Sequence, residues 1–183
     1  FTSDHGEEFG EHPGAYADQP IPANTRHGHT LYQEVVHVPL IVRPPNGGLN
    51  VRVSSPVGSV DIAETLARLG GTTLGDTIDA VPLQEVLGTP RQEPREIVSE
   101  AIRYGIERKA LRLQEKKLIH SEVEDEFFSL DRDPGERINL ITAEPEEARL
   151  LREMLPSKEG VQGTAAEASQ TEQDLLKALG YVD

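Results

Sequence analysis

The sequence predicts a mixed α/β chain, on three observations. Four short extended runs follow one another between Ile97 and Leu130. Apolar residues recur at helical spacing in two well-separated stretches, and a near-continuous apolar run occupies residues 35–43. Of the 183 residues 36% are hydrophobic, only 4% are aromatic and none is Trp. That apolar content is modest for a self-sufficient globule of this length, and it fits a piece whose apolar face packs on something else.

Taken in order, residues 13–26 carry three prolines and no periodicity, so they read as a loop between two segments rich in potential ligands. The run at 35–43 is interrupted only by His37 and Pro39 and reads as a strand, which Pro44-Pro45-Asn46-Gly47-Gly48 ends. Asp61 and Glu64 have capping-box-like spacing, and Ile62, Leu66 and Leu69 follow at helical intervals until Gly70-Gly71, predicting an amphipathic helix over 61–69. A second short helix is expected over 82–87. The extended runs at 97–104, 107–113, 116–121 and 126–130, with tight joints such as Tyr104-Gly105, predict an antiparallel meander of four strands.

After the meander, residues 131–136 are a turn signal around Pro134-Gly135. Pro145 and the acids behind it open a helix over 145–155, with Leu150, Leu151, Met154 and Leu155 on one side. Residues 157–170 are small and polar, a flexible linker, and 171–179 form a short helix stopped by Gly180. The expected organisation is therefore 1–95, a small antiparallel subdomain at 96–156, and a linker with terminal helix at 157–183.

Asp and Glu number 32 against 18 Lys and Arg, a formal net charge of −14, which argues against nucleic acid or an anionic membrane as partner. An anionic substrate would need a local positive field, such as a divalent cation among histidines. Without cysteine there are no disulfides or thiolate metal sites, and no apolar run approaches ~20 residues, so no membrane segment is present in the sequence.

Two clusters could carry chemistry. Asp4 and His5, reached from a short lead and released by Gly6, are a compact oxygen and nitrogen donor pair for a cation. The plainer alternative is a helix-capping Asp4 beside an ordinary surface His5. His27 and His29 flank Gly28 just before Thr30-Leu31-Tyr32, and an imidazole there can donate a hydrogen bond or a proton to a developing alkoxide; the alternative is a solvated histidine loop. Glu7, Glu8 and Glu11 could act as acid–base carboxylates, although solvated surface is the stronger reading. Arg26 and Arg43 could steer an anion, and no pattern singles them out. His37 reads as structural and His120 as lying on the exposed face of the meander.

Ser3-Asp4-His5-Gly6-Glu7, the Thr30-Leu31-Tyr32 segment with His37-Val38-Pro39-Leu40-Ile41-Val42, and the stretch from Phe127 to Leu140 resemble a sulfatase of the alkaline-phosphatase superfamily, formylglycine-dependent and arylsulfatase-like. Leu179-Gly180-Tyr181 resembles the family's usual ending. The resemblance implies that residues 1–95 belong to the C-terminal part of an alkaline-phosphatase-like catalytic domain with a large mixed sheet. It implies that Asp4 and His5 bind the active-site cation, Ca²⁺ first, with Mg²⁺ or Mn²⁺ as alternatives. Glu7 and His12 resemble positions near the site, in support of it or in contact with substrate.

The family often has a lysine where this chain has Gly28, so the resemblance leaves His27 or His29 as its replacement in catalysis. Formylglycine comes from a Cys or Ser in a Cys/Ser-x-Pro/Ala-x-Arg motif of the first half, and no such motif occurs here. The expectation is a chain inactive by itself, packed on that first half, whose whole protein hydrolyses a small-molecule or glycan sulfate ester. The alternatives are a phosphonate monoester hydrolase, a phosphodiesterase or a phosphoglycerol transferase of the same superfamily, and a non-catalytic interaction module.

Overall fold

Apolar and charged residues alternate between residues 96 and 129, so each strand has two faces to cover, and the sheet they form is covered on both. The computed structural model of the chain describes residues 1–13, 16, 19, 21, 24–43, 47, 50–75, 79–88, 94–100 and 103–156. Strands β1 (Glu96–Glu100), β2 (Arg108–Leu113), β3 (Lys116–Ser121) and β4 (Asp125–Ser129) pair antiparallel in sequence order, with Ala110 opposite Ile119 and Leu118 opposite Phe127. This is the expected meander, and Gly105, at φ +87°, makes the β1–β2 joint in a conformation that disfavours a side chain.

One face carries Leu111, Leu118 and Phe127, which pack with Ala148 and Leu151 of helix α4 (Pro145–Met154). The helix starts where Pro145 and its acids predict. Its buried stripe, however, is Ala148 and Leu151 with Leu155 partly buried, while Leu150 and Met154 face outward. Asn139 Oδ1 accepts from the backbone N–H groups of Phe127 (3.1 Å) and Ile141 (3.0 Å), tying the turn to the edge strand as expected of an Asn there.

The other face is chemically mixed. Ala110, Ile119 and Phe128 join Tyr16, Leu31, Tyr32 and Leu130 in a second apolar cluster, and beside them stand the buried Arg108 and Lys117 and the half-buried Glu126. Helix α1 (Gln33–Val36) lies against this face.

Upstream of the meander the structure departs from expectation at two points. The run at 35–43 begins with the last turn of α1 and continues without regular structure, because a strand needs a neighbour to form a ladder; beyond α1, among the described residues, Phe1 pairs with Ile41 alone, exchanging backbone hydrogen bonds of 2.7 and 2.8 Å. Helix α2 (Val60–Leu69) forms as predicted, yet Asp61 does not cap it. Its fully buried carboxylate accepts from Gly58 N (2.8 Å), Val81 N (2.8 Å) and both terminal nitrogens of Arg95, and Glu64 takes Leu74 N (2.9 Å) and Arg68. The polar side of α2 is therefore its buried side, and Leu66 and Leu69 are exposed. The short helix expected at 82–87 is α3, Leu83–Gly88. The linker and terminal helix expected at 157–183 lie outside the described residues.

Candidate active site

Gly6 brings the two ligand-rich segments together. Its N–H donates to Val35 O at 2.7 Å, and Glu8 N donates to Arg26 O at 2.8 Å, so residues 4–12 run along residues 26–36. Three carboxylate–imidazole pairs close the seam: Glu7 with His27 (2.9 Å), Glu8 with His29 (2.9 Å) and Glu34 with His12 (2.6 Å). Glu7 and Glu8 are thus partners of histidines rather than solvated charges. Glu11 does turn back on its own loop, accepting from Phe9 N, and Arg26 lies over the Phe9 ring.

Asp4 is exposed, with its Oδ2 3.7 Å from His5 Nε2. His5 Nδ1 sits 2.9 Å from Gly6 O, and because a carbonyl only accepts, that nitrogen donates, which leaves Nε2, on the Asp4 side, as the nitrogen a cation would take once it carries no proton. A metal-ligating histidine needs this arrangement, with the far nitrogen donating to a fixed acceptor. Backbone hydrogen bonding and the neighbouring His5 hold the Asp4 carboxyl below the usual carboxylate range, so it is a ready anionic donor. His5, Glu7 and His27 form a further donor group, their ligand atoms all within 4.8 Å of one another, and the His5 and His27 rings stack at 4.0 Å. The donor set fits a divalent cation offered one carboxylate and one imidazole, with further ligands required from elsewhere.

The structure separates the two catalytic candidates. His27 is exposed, whereas His29 is buried, its Nε2 on Glu8 and its Nδ1 without a partner among the described residues. Gly28 between them has φ +76°, its carbonyl accepts the N–H groups of Arg103 (2.7 Å) and Tyr104 (2.8 Å), and a side chain there would meet those two residues. The β1–β2 connection therefore fixes the histidine loop from the side.

His12 lies behind the site, stacked on Tyr32 at 3.8 Å. Its Nε2 faces Glu136 O at 3.0 Å and its Nδ1 faces Glu34 Oε1 at 2.6 Å; both neighbours are acceptors, so the ring is held as an imidazolium. Burial alone would lower its pKa, but the hydrogen bonds to Glu34 and to the Glu136 carbonyl win and raise it above the ordinary value. Below, Tyr16 and Tyr32 both donate to Glu126, Tyr32 at 2.7 Å, and the Arg108 guanidinium covers the Tyr16 ring at 3.4 Å. Burial, reinforced by that carboxylate, pushes the Tyr16 phenol up; burial and the neighbouring Tyr16 do the same to Tyr32.

Glu34, Glu136 and Lys117 escaped the sequence reading. Lys117 follows Glu115 and Lys116 as a surface lysine would, and only strand alternation, which puts it and Lys116 on opposite faces, marks one of the two as inward. His37 is exposed beside α1, and His120 is not on an open face but half-buried and bonded to Asp125 at 2.5 Å.

Residues 1–72 match the family model Sulfatase. Among curated proteins the chain is 27% identical to the uncharacterized sulfatase YidJ of Escherichia coli over 151 residues, covering 77% of this chain and 27% of that protein. It is 30% identical to mouse arylsulfatase K over 173 residues, covering 86% and 29%. The chain thus spans under a third of the length of these relatives. Among solved structures, BT1596, a 2-O GAG sulfatase, has a TM-score of 0.61 at 23% identity over 84% of this chain and 33% of that one. BT4656, solved with its substrate D-glucosamine-2-N,6-O-disulfate, has a TM-score of 0.60 at 23% identity over 100% and 34%. At that identity the likeness shows the fold, which is the alkaline-phosphatase-like α/β fold of sulfatases.

Proposed function

From a chain that is a relative of the sulfatases, we propose that its whole protein hydrolyses sulfate esters, with Asp4 and His5 holding part of a divalent cation's ligand shell. The observation that carries the reading is the donor geometry at residues 4–6: a carboxylate and the imidazole Nε2 3.7 Å apart, with the other ring nitrogen on a backbone carbonyl. Such a cation would draw electron density from the sulfate oxygens and offset the charge that builds as the ester bond breaks. By family the ion is Ca²⁺, with Mg²⁺ or Mn²⁺ as alternatives; an imidazole ligand suits Mn²⁺ better than the other two.

His27 is the better candidate to donate a proton to the leaving alcohol. Its exposure and its stacking against His5 support this, whereas His29, buried on Glu8, is suited to fixing the loop. Glu7 orients His27, and His12 supports the site from behind. The formylglycine nucleophile implied by the family has no source motif in these residues, so we assign it to the rest of the protein. The substrate class is a small-molecule or glycan sulfate. The exposed Phe1, Ile41, Leu66 and Leu69 support packing of the chain on that remainder.

The test uses the full-length protein with 4-nitrophenyl sulfate, before and after chelation and refilling with Ca²⁺ or Mn²⁺. Wild type should lose activity with the metal and regain it, Asp4→Ala and His5→Ala should bind the metal weakly by calorimetry, and His27→Gln should lower kcat. Hydrolysis of phosphate or phosphonate esters with none of the sulfate would overturn the assignment in favour of a phosphoryl-transfer relative.

A further inference from the structure

Glu136 has φ +52°, a left-handed backbone that a side-chain-bearing residue rarely takes, and it is almost fully buried. Its N–H closes its own turn on Asp133 O at 3.1 Å, and its carbonyl and carboxylate face the two site segments and the sheet behind them. Its carbonyl meets His12 Nε2 at 3.0 Å, its Oε2 accepts the Gln33 N–H at 2.5 Å, and its Oε1 lies 2.7 Å from Lys117 Nζ, an ion-pair approach. Lys117, equally buried, spends its hydrogen bond on Leu31 O at 2.5 Å.

Leu31 and Gln33 flank Tyr32, the residue that enters α1. That helix has no side-chain cap of its own, so the Gln33 N–H is one of the orphan donors every helix start leaves behind. Glu136 satisfies it from more than a hundred residues away. Lys117 takes the carbonyl two positions upstream and balances the carboxylate.

The pair thus grips one donor and one acceptor of the same short stretch, two residues after His29, while the Glu136 main chain holds His12. A hydrophobic pair of equal volume would avoid burying two charges, often the more stable choice, but would leave the Gln33 N–H and the Leu31 carbonyl without these partners. What the charged pair adds is a hold on those two backbone groups.

We infer that Lys117 and Glu136 are positioning residues: the small antiparallel sheet uses this buried pair to set where the His27–His29 loop stands against Asp4 and His5. The catalytic consequence rests on the sulfatase reading above; the positioning itself does not. Sheet and site are then coupled parts, and the turn after β4 is as necessary to the site as the segments that carry its ligands.

The experiment takes full-length protein as wild type, K117M, E136Q and the double variant K117M/E136Q. Three quantities are read: thermal midpoint, amide hydrogen exchange in peptides covering 27–36 relative to peptides covering β2 and β3, and kcat and KM with 4-nitrophenyl sulfate. Each single variant leaves a buried charge unpaired and should lower the midpoint; the double variant removes both charges and should recover most of it. The 27–36 stretch should nevertheless exchange at least about ten-fold faster in the double variant while β2 and β3 stay protected, because Leu31 O has lost its donor. With the sulfatase reading correct, kcat falls about ten-fold or more at nearly unchanged KM.

Wild-type protection of 27–36 in the recovered double variant overturns the inference, as does loosening of 27–36 and the sheet together. Where the double variant fails to fold, K117M, which removes the Leu31 donor and leaves Glu136 on Gln33, carries the same comparison. Absence of sulfate hydrolysis by wild type sinks the functional reading, and the exchange ratio still decides this one.

Discussion

Replacing Gly6 by alanine tests the seam on which the candidate site depends. A Cβ at residue 6 would stand 1.9 Å from the Glu34 carbonyl oxygen and 3.3 Å from Val35 Cα, where side-chain carbons essentially never come within 3.0 Å of a neighbour. The two segments must therefore part by at least 1.1 Å. Both atoms in the way are backbone, so no side chain can rotate aside to relieve the clash. Overpacking of this kind costs about 1–3 kcal/mol, and the Gly6–Val35 hydrogen bond that stretches with it adds about 1 kcal/mol, together about 2–4 kcal/mol. Asp4 and His5 ride on the displaced segment, and a misplacement of about 1 Å can cost ~100-fold in rate.

The assay is urea denaturation of the full-length protein together with calorimetric titration of Mn²⁺, with Gly10→Ala as the control. Gly10 has φ +100° and open space around it, so alanine there strains only its own backbone, about 1–2 kcal/mol, and leaves the seam alone. Gly6→Ala should lower the midpoint and weaken Mn²⁺ binding together, Gly10→Ala the midpoint only. Wild-type Mn²⁺ affinity in Gly6→Ala, or equal loss in the control, would refute the reasoning.

The imidazolium at His12 gives a pH signature. Its pKa is raised in the folded protein, so its contribution is complete below the unfolded value of about 6.5 and disappears as pH climbs through the folded one. The stability gap between wild type and His12→Gln, from urea midpoints, should be widest near pH 6 and shrink by pH 9; a gap that grows with pH would exclude a charged ring. At α2, Asp61→Ala removes a fully buried carboxylate with four donors and should cost about 3–5 kcal/mol. Arg68→Ala, at a half-exposed ion pair, should cost less than about 1 kcal/mol. Equal losses in thermal unfolding would contradict the burial argument.

The meander was legible because its signals are local: alternation, glycine joints and a Pro-Gly turn act within ten residues of one another, and the four strands fall within a residue or two of their expected starts. The stripe on α4 was misassigned because periodicity says which residues share a side, not which side meets the sheet, and Ala148 is as apolar as the site requires. At α2 the sequence pattern was read as helix-capping chemistry, whereas Asp61 serves Arg95, Gly58 and Val81, partners up to 34 residues away. In the candidate site Asp4, His5, His12, His27 and His29 were all legible as types. Their pairing with Glu7, Glu8 and Glu34 was not, since it depends on a register set by Gly6 and on contacts between residues 20 or more apart.

Two of the chain's four tyrosines donate their hydroxyl hydrogen bonds to one acid, Glu126, with neither ring open to water. Their ionisation needs the sheet to come away from the segment it covers, so alkaline titration followed by ultraviolet absorbance becomes a gauge of that separation. Phenolate from these rings would emerge only with undocking, a late optical step that tells an attached sheet from a detached one without any label.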